Sequence, residues 1–317
     1  MELRFVGNSG LQVSAIGLGT NNFGGRTDEA GSIRVVKAAI EHGITAIDTA
    51  NVYGGGLSEG IIGKAIKGER HKLVIMTKAG MRYGQGPHEG GASRLHLIQA
   101  VETSLKKLGT DYIDLFQIHF PDSLTPIEET LRALDDMVHQ GKIRYIGSSN
   151  YLGWQSCEAA WTSRSLGLNS FISIQPHYSL YHRVPERELV GFCKAYNVGI
   201  IPYYPLAKGL LTGKYRSGEE PAEGTRLHDV RFQGILNDAN YEVLGKLEKF
   251  AGDRDHTVLE LAFAWLLARP QVSTVIAGAT KPEQVQANAA AADWRLTQEE
   301  VAELDLITER YIADPIE

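Results

Sequence analysis

Eight short apolar segments, each bounded by turn residues, alternate along the chain with amphipathic stretches. Most neighbouring segments are about 30 residues apart, which leaves room for one loop and one returning helix between two strands. Such alternation is typical of parallel strands joined by crossover helices, and eight parallel strands close naturally into a (β/α)8 barrel. The predicted strands are residues 15–18, 45–48, 73–77, 112–118, 145–148, 172–175, 199–203 and 273–276.

The segments around these strands complete the prediction of one TIM-barrel domain spanning residues 1–317. Amphipathic stretches that end near Gly43, Gly109 and Gly141 predict helices, because glycine readily takes the left-handed conformation that closes a helix. Residues 3–5 and 11–13 flank an Asn-Ser-Gly turn, which predicts a β-hairpin that plugs the N-terminal end of the barrel.

The connection after the seventh predicted strand is unusually long. It spans about 70 residues and includes the glycine- and charge-rich residues 214–234. A loop of that length in a compact domain is usually functional, so we expect it to contribute to a binding site.

Composition and charge exclude several classes of protein. The chain carries a formal net charge of −6 and no block of lysine and arginine, which argues against nucleic-acid binding. No apolar run is long enough to span a membrane and no signal-peptide core follows the N-terminus, so we expect a cytoplasmic protein with a small-molecule substrate. Cys157 and Cys193 are the only cysteines, and no His/Cys cluster has metal-ligand spacing, so neither a disulfide framework nor a metal site is predicted.

Two common nucleotide-binding motifs are missing from the sequence. No G-x-G-x-x-G follows a predicted strand, and no Gly-Lys pair is followed by Ser or Thr. Neither a Rossmann fingerprint nor a P-loop is therefore predicted, and a nucleotide would have to be held in another way.

Four ionisable residues lie at or just after the ends of three neighbouring predicted strands. Asp48 ends the second strand and Tyr53 follows in its loop, while Lys78 stands at the end of the third strand and His119 at the end of the fourth. Catalytic residues of (β/α)8 barrels gather at the carboxyl ends of the strands, so these four side chains are predicted to meet. Taken singly, each has an ordinary structural explanation: a turn cap, a rim aromatic, a solvated charge and a hydrogen-bonded core histidine, respectively.

Together, these four residue types fit proton transfer to a carbonyl oxygen. A phenol with a pKa near 10 is a poor acid or base at neutral pH, so Tyr53 needs a cation such as Lys78 to stabilise its phenolate and lower its pKa. Asp48 would keep the Lys78 ammonium protonated. His119 would donate a hydrogen bond that orients the substrate oxygen.

With this tetrad in place, the chain resembles the aldo-keto reductase superfamily, whose Asp, Tyr, Lys and His stand in the same order. Residues 47–54 read I-D-T-A-N-V-Y-G and are followed by Ser58-Glu59 and Gly63, similar to the family signature D-T-A-x-x-Y-G…S-E…G. Residues 205–215, P-L-A-K-G-L-L-T-G-K-Y, are similar to the bacterial and potassium-channel β-subunit branches. The resemblance covers nearly the whole chain and implies NADPH-dependent reduction of an aldehyde or ketone, with NAD as the alternative cofactor.

The resemblance also implies which residues hold the cofactor. Ser149, Asn150 and Gln175 would bind the nicotinamide carboxamide, and Tyr203 would stack on the nicotinamide ring. Residues 206–214 would wrap the pyrophosphate, and Arg226 in the long loop would clamp the cofactor. The full implied set is Thr20, Asp48, Ser149, Asn150, Gln175, Tyr203, Pro205, Leu206, Lys208, Gly209, Lys214, Arg226, Gly278, Thr280, Lys281, Gln284 and Asn288.

Residues after the eighth predicted strand would bind the adenosine end of the cofactor. Thr280, Lys281, Gln284 and Asn288 match the family positions at the adenine and the 2′-phosphate, and Pro282 predicts the start of a helix whose N-terminus attracts anions. Gln284 stands where many relatives have arginine, so the resemblance implies a weaker preference for NADP over NAD than in those relatives.

The loops above the strand ends also predict a substrate pocket. Its aromatic wall above His119 would consist of Phe23, Tyr53, Phe120 and Tyr151, with Trp154 beside them, although one or two of these can instead pack the rim.

Two other functions stay open at this point. One is a cofactor-binding regulatory subunit that turns over slowly and senses redox state. The other is a Schiff-base aldolase with Lys78 as nucleophile, against which a neighbouring Asp48 argues because it keeps the amine charged.

Overall fold

The computed structural model describes residues 1–84, 86 and 88–316, and it contains the predicted barrel. Strands β1 (Leu3–Phe5) and β2 (Gln12–Ser14) form an antiparallel hairpin. The barrel strands are β3 (Ile16–Gly19), β4 (Ala46–Asp48), β5 (Val74–Ala79), β6 (Ile113–Ile118), β7 (Ile143–Ser149), β8 (Ser173–Gln175), β9 (Gly199–Ile200) and β10 (Val275–Gly278).

These eight strands are parallel neighbours in the order β10, β3, β4, β5, β6, β7, β8, β9. The sheet closes between β9 and β10, where the Ser273 amide donates to the Ile200 carbonyl and the Ile276 amide donates to the Pro202 carbonyl. The carboxyl ends of all eight strands therefore lie at one rim of a closed barrel, which is where such folds build their sites.

Helices surround the barrel strands. They are α1 (Glu29–Glu41), α2 (Ser58–Ala65), α3 (Arg94–Leu108), α4 (Ile127–His139), α5 (Gly153–Leu166), α6 (Leu189–Tyr196), α7 (Asp238–Gly252), α8 (Val258–Leu267), α9 (Pro282–Ala290) and α10 (Gln298–Ile307). The predicted stops at Gly43, Gly109 and Gly141 are confirmed, since all three have left-handed φ angles of 74°, 64° and 73°. Asp28 and Ser93 cap the N-termini of α1 and α3 by accepting backbone N–H bonds. None of the helices in the described part of the chain combines the length and apolar character needed to cross a bilayer.

The hairpin lies at the N-terminal end of the barrel, as predicted. Val6 and Val13 are buried there and pack against interior side chains such as Met76 and Leu115. Gly7 has a left-handed φ of 53°, and a Cβ added there would approach the Ile172 carbonyl oxygen to 2.4 Å. The turn of the hairpin is therefore pressed against the starts of the barrel strands, where only glycine fits.

The predicted strand boundaries are wrong by a few residues, and two of the errors bear on the site. Strand β5 continues to Ala79, so Lys78 lies within the strand, one residue before its end. Strand β9 ends at Ile200, short of the predicted residue 203, because Pro202 has no N–H with which to continue the ladder.

The long connection between β9 and β10 is only partly loop. Residues 201–237 run without α-helix or extended strand, with short 3₁₀ turns, and α7 and α8 complete the connection. The irregular part of the connection is shorter than predicted, because these two helices occupy much of it.

Candidate active site

Lys78 and Asp48 form a buried ion pair inside the barrel. Lys78 Nζ lies 2.8 and 2.7 Å from the two carboxylate oxygens of Asp48 and 2.8 Å from the Thr49 carbonyl oxygen. Three acceptors require three N–H donors, so this is the geometry of an ammonium ion. Burial lowers the pKa of Lys78, and the Asp48 carboxylate opposes that shift. The predicted pairing is thus present, with the lysine fully buried.

The Tyr53 hydroxyl lies 3.5 Å from Lys78 Nζ, at the edge of hydrogen-bond distance. Burial is the main influence on this phenol and raises its pKa well above the ordinary value, and the Asp48 charge adds to the shift. The predicted net lowering of the Tyr53 pKa is wrong, because burial and the Asp48 charge dominate over the neighbouring Lys78 cation. Tyr53 is therefore a protonated phenol at neutral pH, which suits a proton donor.

His119 completes the tetrad across the mouth of the barrel. Its ring centroid lies 5.7 Å from that of Tyr53, with the two rings nearly perpendicular. Burial, with a smaller contribution from the Lys78 charge, lowers the pKa of His119 to about 3. Its Nδ1 is buried with no hydrogen-bond partner among the described residues. A neutral imidazole carries one N–H, so His119 can donate one hydrogen bond without adding a positive charge.

A chain of hydrogen bonds joins the expected nicotinamide-binding residues to the tetrad. The Tyr203 hydroxyl donates to Asn150 Oδ1 at 2.8 Å, and Asn150 Nδ2 donates to Ser149 Oγ at 3.1 Å. Ser149 Oγ donates to the Gln175 carbonyl at 2.8 Å, and Gln175 Nε2 donates to Asp48 Oδ1 at 2.9 Å. The residues expected to bind nicotinamide and the residues of the tetrad therefore form one hydrogen-bond network, a connection that the sequence did not predict.

Asn150 occupies the centre of this network. It has a left-handed φ of 60°, and its Nδ2 also donates to the His119 carbonyl at 2.9 Å. Asparagine tolerates this conformation better than most residues. Because both ends of its amide are bonded within the protein, a bound carboxamide would have to share or exchange those bonds.

The expected pyrophosphate segment is conformationally strained. Tyr204, Ala207 and Lys208 all have left-handed φ angles, between 48° and 57°. Such conformations cost energy for residues with a side chain, and they concentrate at functional sites. Pro205, Leu206, Lys208 and Gly209 lie in this strained stretch, whereas Lys214, at the end of the expected segment, is exposed with its Nζ 5.1 Å from the centre of the Tyr215 ring.

Two arginines connect the long loop to the loop after β3. The Arg226 guanidinium lies 5.0 Å over the Tyr204 ring and donates to Asn22 Oδ1 at 3.4 Å. Arg26 Nη2 donates to the Gly224 carbonyl at 2.5 Å. The long loop therefore crosses the barrel rim beside the strained segment.

The residues expected at the adenosine end surround the start of α9. Pro282 is the first residue of that helix, as predicted, and Lys281 directly precedes it without a side-chain capping bond. The Thr280 amide donates to Gln284 Oε1 at 2.8 Å, so this side chain folds back over the helix start. Asn288 is buried on the same helix, and Gly278 is exposed at the end of β10.

Thr20 does not face an open groove. It is fully buried, its Oγ1 donates to the Asp48 carbonyl at 2.9 Å, and it lies 2.9 Å from Ser58 Oγ. Thr49 Oγ1 lies 3.0 Å from the same Ser58 oxygen. Sequence reasoning missed this hydroxyl cluster behind Asp48, although the Ser58-Glu59 pair in the family signature was a signal for it.

Fewer aromatic side chains line the expected substrate pocket than the sequence predicts. Phe23 and Tyr151 are buried in the main core, and Tyr151 packs edge-on against Phe171. Both residues therefore pack the rim instead of lining the pocket, the alternative left open by the sequence. Phe120 is 43% exposed and stacks on His119 with ring centroids 5.3 Å apart, and Trp154 is also exposed.

The sequence also matches a known protein family whose members have this fold. The model of the aldo/keto reductase family matches residues 15–309. The chain belongs to the aldo/keto reductase family. The family and the oxidoreductase names of its relatives support carbonyl reduction as the general class of reaction.

Three relatives illustrate the range of this family. The chain is 38% identical to aldo-keto reductase YhdN of Bacillus subtilis, over all of this chain and 96% of that protein. It is 34% identical to L-glyceraldehyde 3-phosphate reductase of Escherichia coli O157:H7, over 99% of this chain and 93% of that protein. It is 35% identical to a protein of Arabidopsis thaliana named probable voltage-gated potassium channel subunit beta, over 92% of each chain.

Proposed function

We propose that this protein reduces an aldehyde or ketone with NADPH and that Tyr53 delivers the proton to the carbonyl oxygen. The observation that carries the proposal is the buried Lys78 ammonium, paired with Asp48 and 3.5 Å from the Tyr53 hydroxyl. A cation in that place stabilises negative charge that develops on the phenol during the reaction.

The proton step follows from the two pKa shifts. Tyr53 holds its proton at neutral pH because burial raises its pKa. A carbonyl oxygen that gains negative charge becomes a stronger base than a phenolate, so it takes the proton from Tyr53. Lys78 then stabilises the phenolate that remains. Neutral His119 donates a hydrogen bond to the same oxygen and fixes its position before transfer.

The cofactor would lie along the rim that connects the strained segment to the start of α9. When bound, reduced nicotinamide supplies the hydride. Gln175 and the Ser149-Asn150 pair would orient the carboxamide, and Tyr203 would lie against the ring. Lys208, Lys214 and Arg226 would supply positive charge toward the pyrophosphate, with Lys281 toward the 2′-phosphate.

Two structural features fit such an occupant. The left-handed backbone at Ala207 and Lys208 matches a segment shaped around a ligand. At the start of α9, Gln284 Oε1 accepts the Thr280 N–H, and a phosphate oxygen could replace that acceptor.

The experiment is to follow NADPH consumption by the purified protein over a panel of aliphatic and aromatic aldehydes and ketones. We expect steady turnover by the wild type, faster with NADPH than with NADH. Tight NADPH binding with turnover too slow to follow on this panel would favour the regulatory-subunit alternative. Trapping of substrate on Lys78 by borohydride would instead favour the aldolase.

A further inference from the structure

The turn that carries Tyr53 has an unusual backbone. Gly54, Gly55 and Gly56 follow Tyr53 directly, and their φ angles are 58°, 65° and 87°. Three consecutive left-handed residues are accessible to glycine at little steric cost, but glycine also loses the most conformational freedom on folding. Such a turn needs contacts from outside to hold it in one conformation.

Neighbouring elements supply a contact to each of the three glycines. A Cβ added at Gly54 would lie 1.9 Å from the Phe23 carbonyl oxygen, so these two backbones touch. The Tyr83 hydroxyl donates to the Gly55 carbonyl at 2.7 Å, and Lys107 Nζ donates to the Gly56 carbonyl at 3.0 Å.

Tyr83 and Lys107 come from different parts of the chain. Tyr83 lies in the glycine-rich part of the chain between β5 and α3 and is 53% exposed. Lys107 lies near the end of α3, with Nζ 6.0 Å from the centre of the Tyr83 ring. A Cβ at Gly56 would lie 2.4 Å from the Tyr83 hydroxyl oxygen, so the phenol lies directly over the turn.

The turn matters because its backbone sets where the Tyr53 hydroxyl lies. Lys78 gives its shorter contacts, at 2.7 to 2.8 Å, to Asp48 and Thr49, and its 3.5 Å contact with Tyr53 is weak. The side-chain contact alone therefore does not fix the phenol within the fraction of an ångström that proton transfer requires.

We propose that Tyr83 and Lys107 are positioning residues, which hold the Gly54–Gly56 turn so that the Tyr53 hydroxyl faces the reacting oxygen. The proposal rests on the proposed function only for its effect on the reaction rate. The effect on the backbone of the turn is independent of any activity.

The test uses Tyr83→Phe and Lys107→Met in the full-length protein, with Lys107→Arg as a conservative variant that keeps a cationic donor. Tyr196→Phe is the matched tyrosine control, because its hydroxyl accepts a bond from Trp161 on the outer surface between α5 and α6. Lys64→Met is the matched lysine control, since Lys64 forms an exposed ion pair with Glu29.

Two readouts separate positioning from general loss of structure. Hydrogen–deuterium exchange of the amides of residues 54–57 should be faster in Tyr83→Phe and Lys107→Met than in the wild type and both controls. In the same two variants we expect kcat to fall roughly tenfold, with the Kd for NADPH within about twofold of the wild type, and Lys107→Arg should recover most of kcat.

The outcomes are distinguishable. Exchange and kcat both unchanged in Tyr83→Phe and Lys107→Met would overturn the proposal, as would a drop in Tm with kcat unchanged. If the wild type itself reduces no carbonyl on the panel, the proposed function fails, and the exchange measurement still decides whether the two residues hold the turn.

Discussion

Gln175 Nε2 donates a 2.9 Å hydrogen bond to Oδ1 of Asp48, across the interior of the barrel from β8 to β4. These strands are not neighbours in the sheet, so the contact exists only because the barrel is closed. It links the residues expected to orient nicotinamide to the carboxylate that pairs with Lys78. A change at Gln175 should therefore affect both cofactor binding and proton transfer.

We expect Gln175→Leu to raise KM for NADPH and to lower kcat together. A hydrogen bond to a charged group contributes roughly 1.5–3 kcal/mol, so kcat/KM should fall by about 10- to 100-fold. Steady-state kinetics on the best panel substrate checks this. Gln155→Leu is the control, because Gln155 only accepts a bond from the Leu152 amide near the start of α5. A change in KM alone would show that Gln175 does not support the Asp48–Lys78 pair.

Removing one member of the buried ion pair should destabilise the fold more than removing both. Lys78→Met leaves the Asp48 carboxylate buried without its cation, which costs about 3–5 kcal/mol in free energy of unfolding. The double variant Asp48→Asn/Lys78→Met should recover most of that loss. Urea unfolding of both variants, with Lys64→Met as an exposed-pair control losing under about 1 kcal/mol, measures the difference. A double variant no more stable than Lys78→Met would contradict this description of the pair.

The sequence was enough to predict that Asp48, Tyr53, Lys78 and His119 lie together, because parallel strands bring their carboxyl ends to one rim. Strand positions alone were enough to predict that Asp48, Lys78 and His119 lie close together. Errors of one or two residues in the strand boundaries did not change this prediction. The bond from Gln175 to Asp48 was beyond reach because it depends on barrel closure and side-chain direction, which residue spacing does not give.

The pKa of Tyr53 was predicted in the wrong direction for a related reason. The sequence gives the nearby charges but not the depth of burial, and here burial dominates. Phe23 and Tyr151 were expected to face the substrate for the same reason, since loop position alone does not reveal that both rings enter the core. The hydrogen bond from Tyr83 to Gly55 joins two separate segments of the chain. No local sequence pattern predicts that these segments meet.

The raised pKa of Tyr53 predicts different pH dependences for the two directions of the reaction. The raised pKa of Tyr53 keeps the proton donor protonated, so the rate of carbonyl reduction should be flat from about pH 6 to 9. Alcohol oxidation needs the phenolate, so its rate should rise up to about tenfold per pH unit over the same range. His119, with its pKa lowered to about 3, should add no inflection near pH 6.5. An inflection near 6.5 that His119→Asn removes would show a protonated imidazole in the reaction.

Cofactor choice should depend on the charges at the start of α9. Lys281→Ala should raise KM for NADPH far more than KM for NADH and leave kcat nearly intact, because the contact is remote from the reacting atoms. Gln284→Arg should increase the preference for NADPH about tenfold by adding a charge-assisted contact to the 2′-phosphate. Parallel titrations of both cofactors decide this. Equal effects of Lys281→Ala on NADPH and NADH would assign the lysine to the helix terminus or the pyrophosphate.

The most direct measurement follows deuterium from C4-deuterated NADPH into the alcohol product, for the wild type and for Tyr53→Phe. The wild type should transfer deuterium from one face of the nicotinamide only. Tyr53→Phe should bind NADPH with an unchanged Kd but form product at least about 10²-fold more slowly, because only the proton donor is lost. An alcohol that gains deuterium from neither face of the nicotinamide, or a Tyr53→Phe variant that forms product at the wild-type rate, would contradict the proposed function.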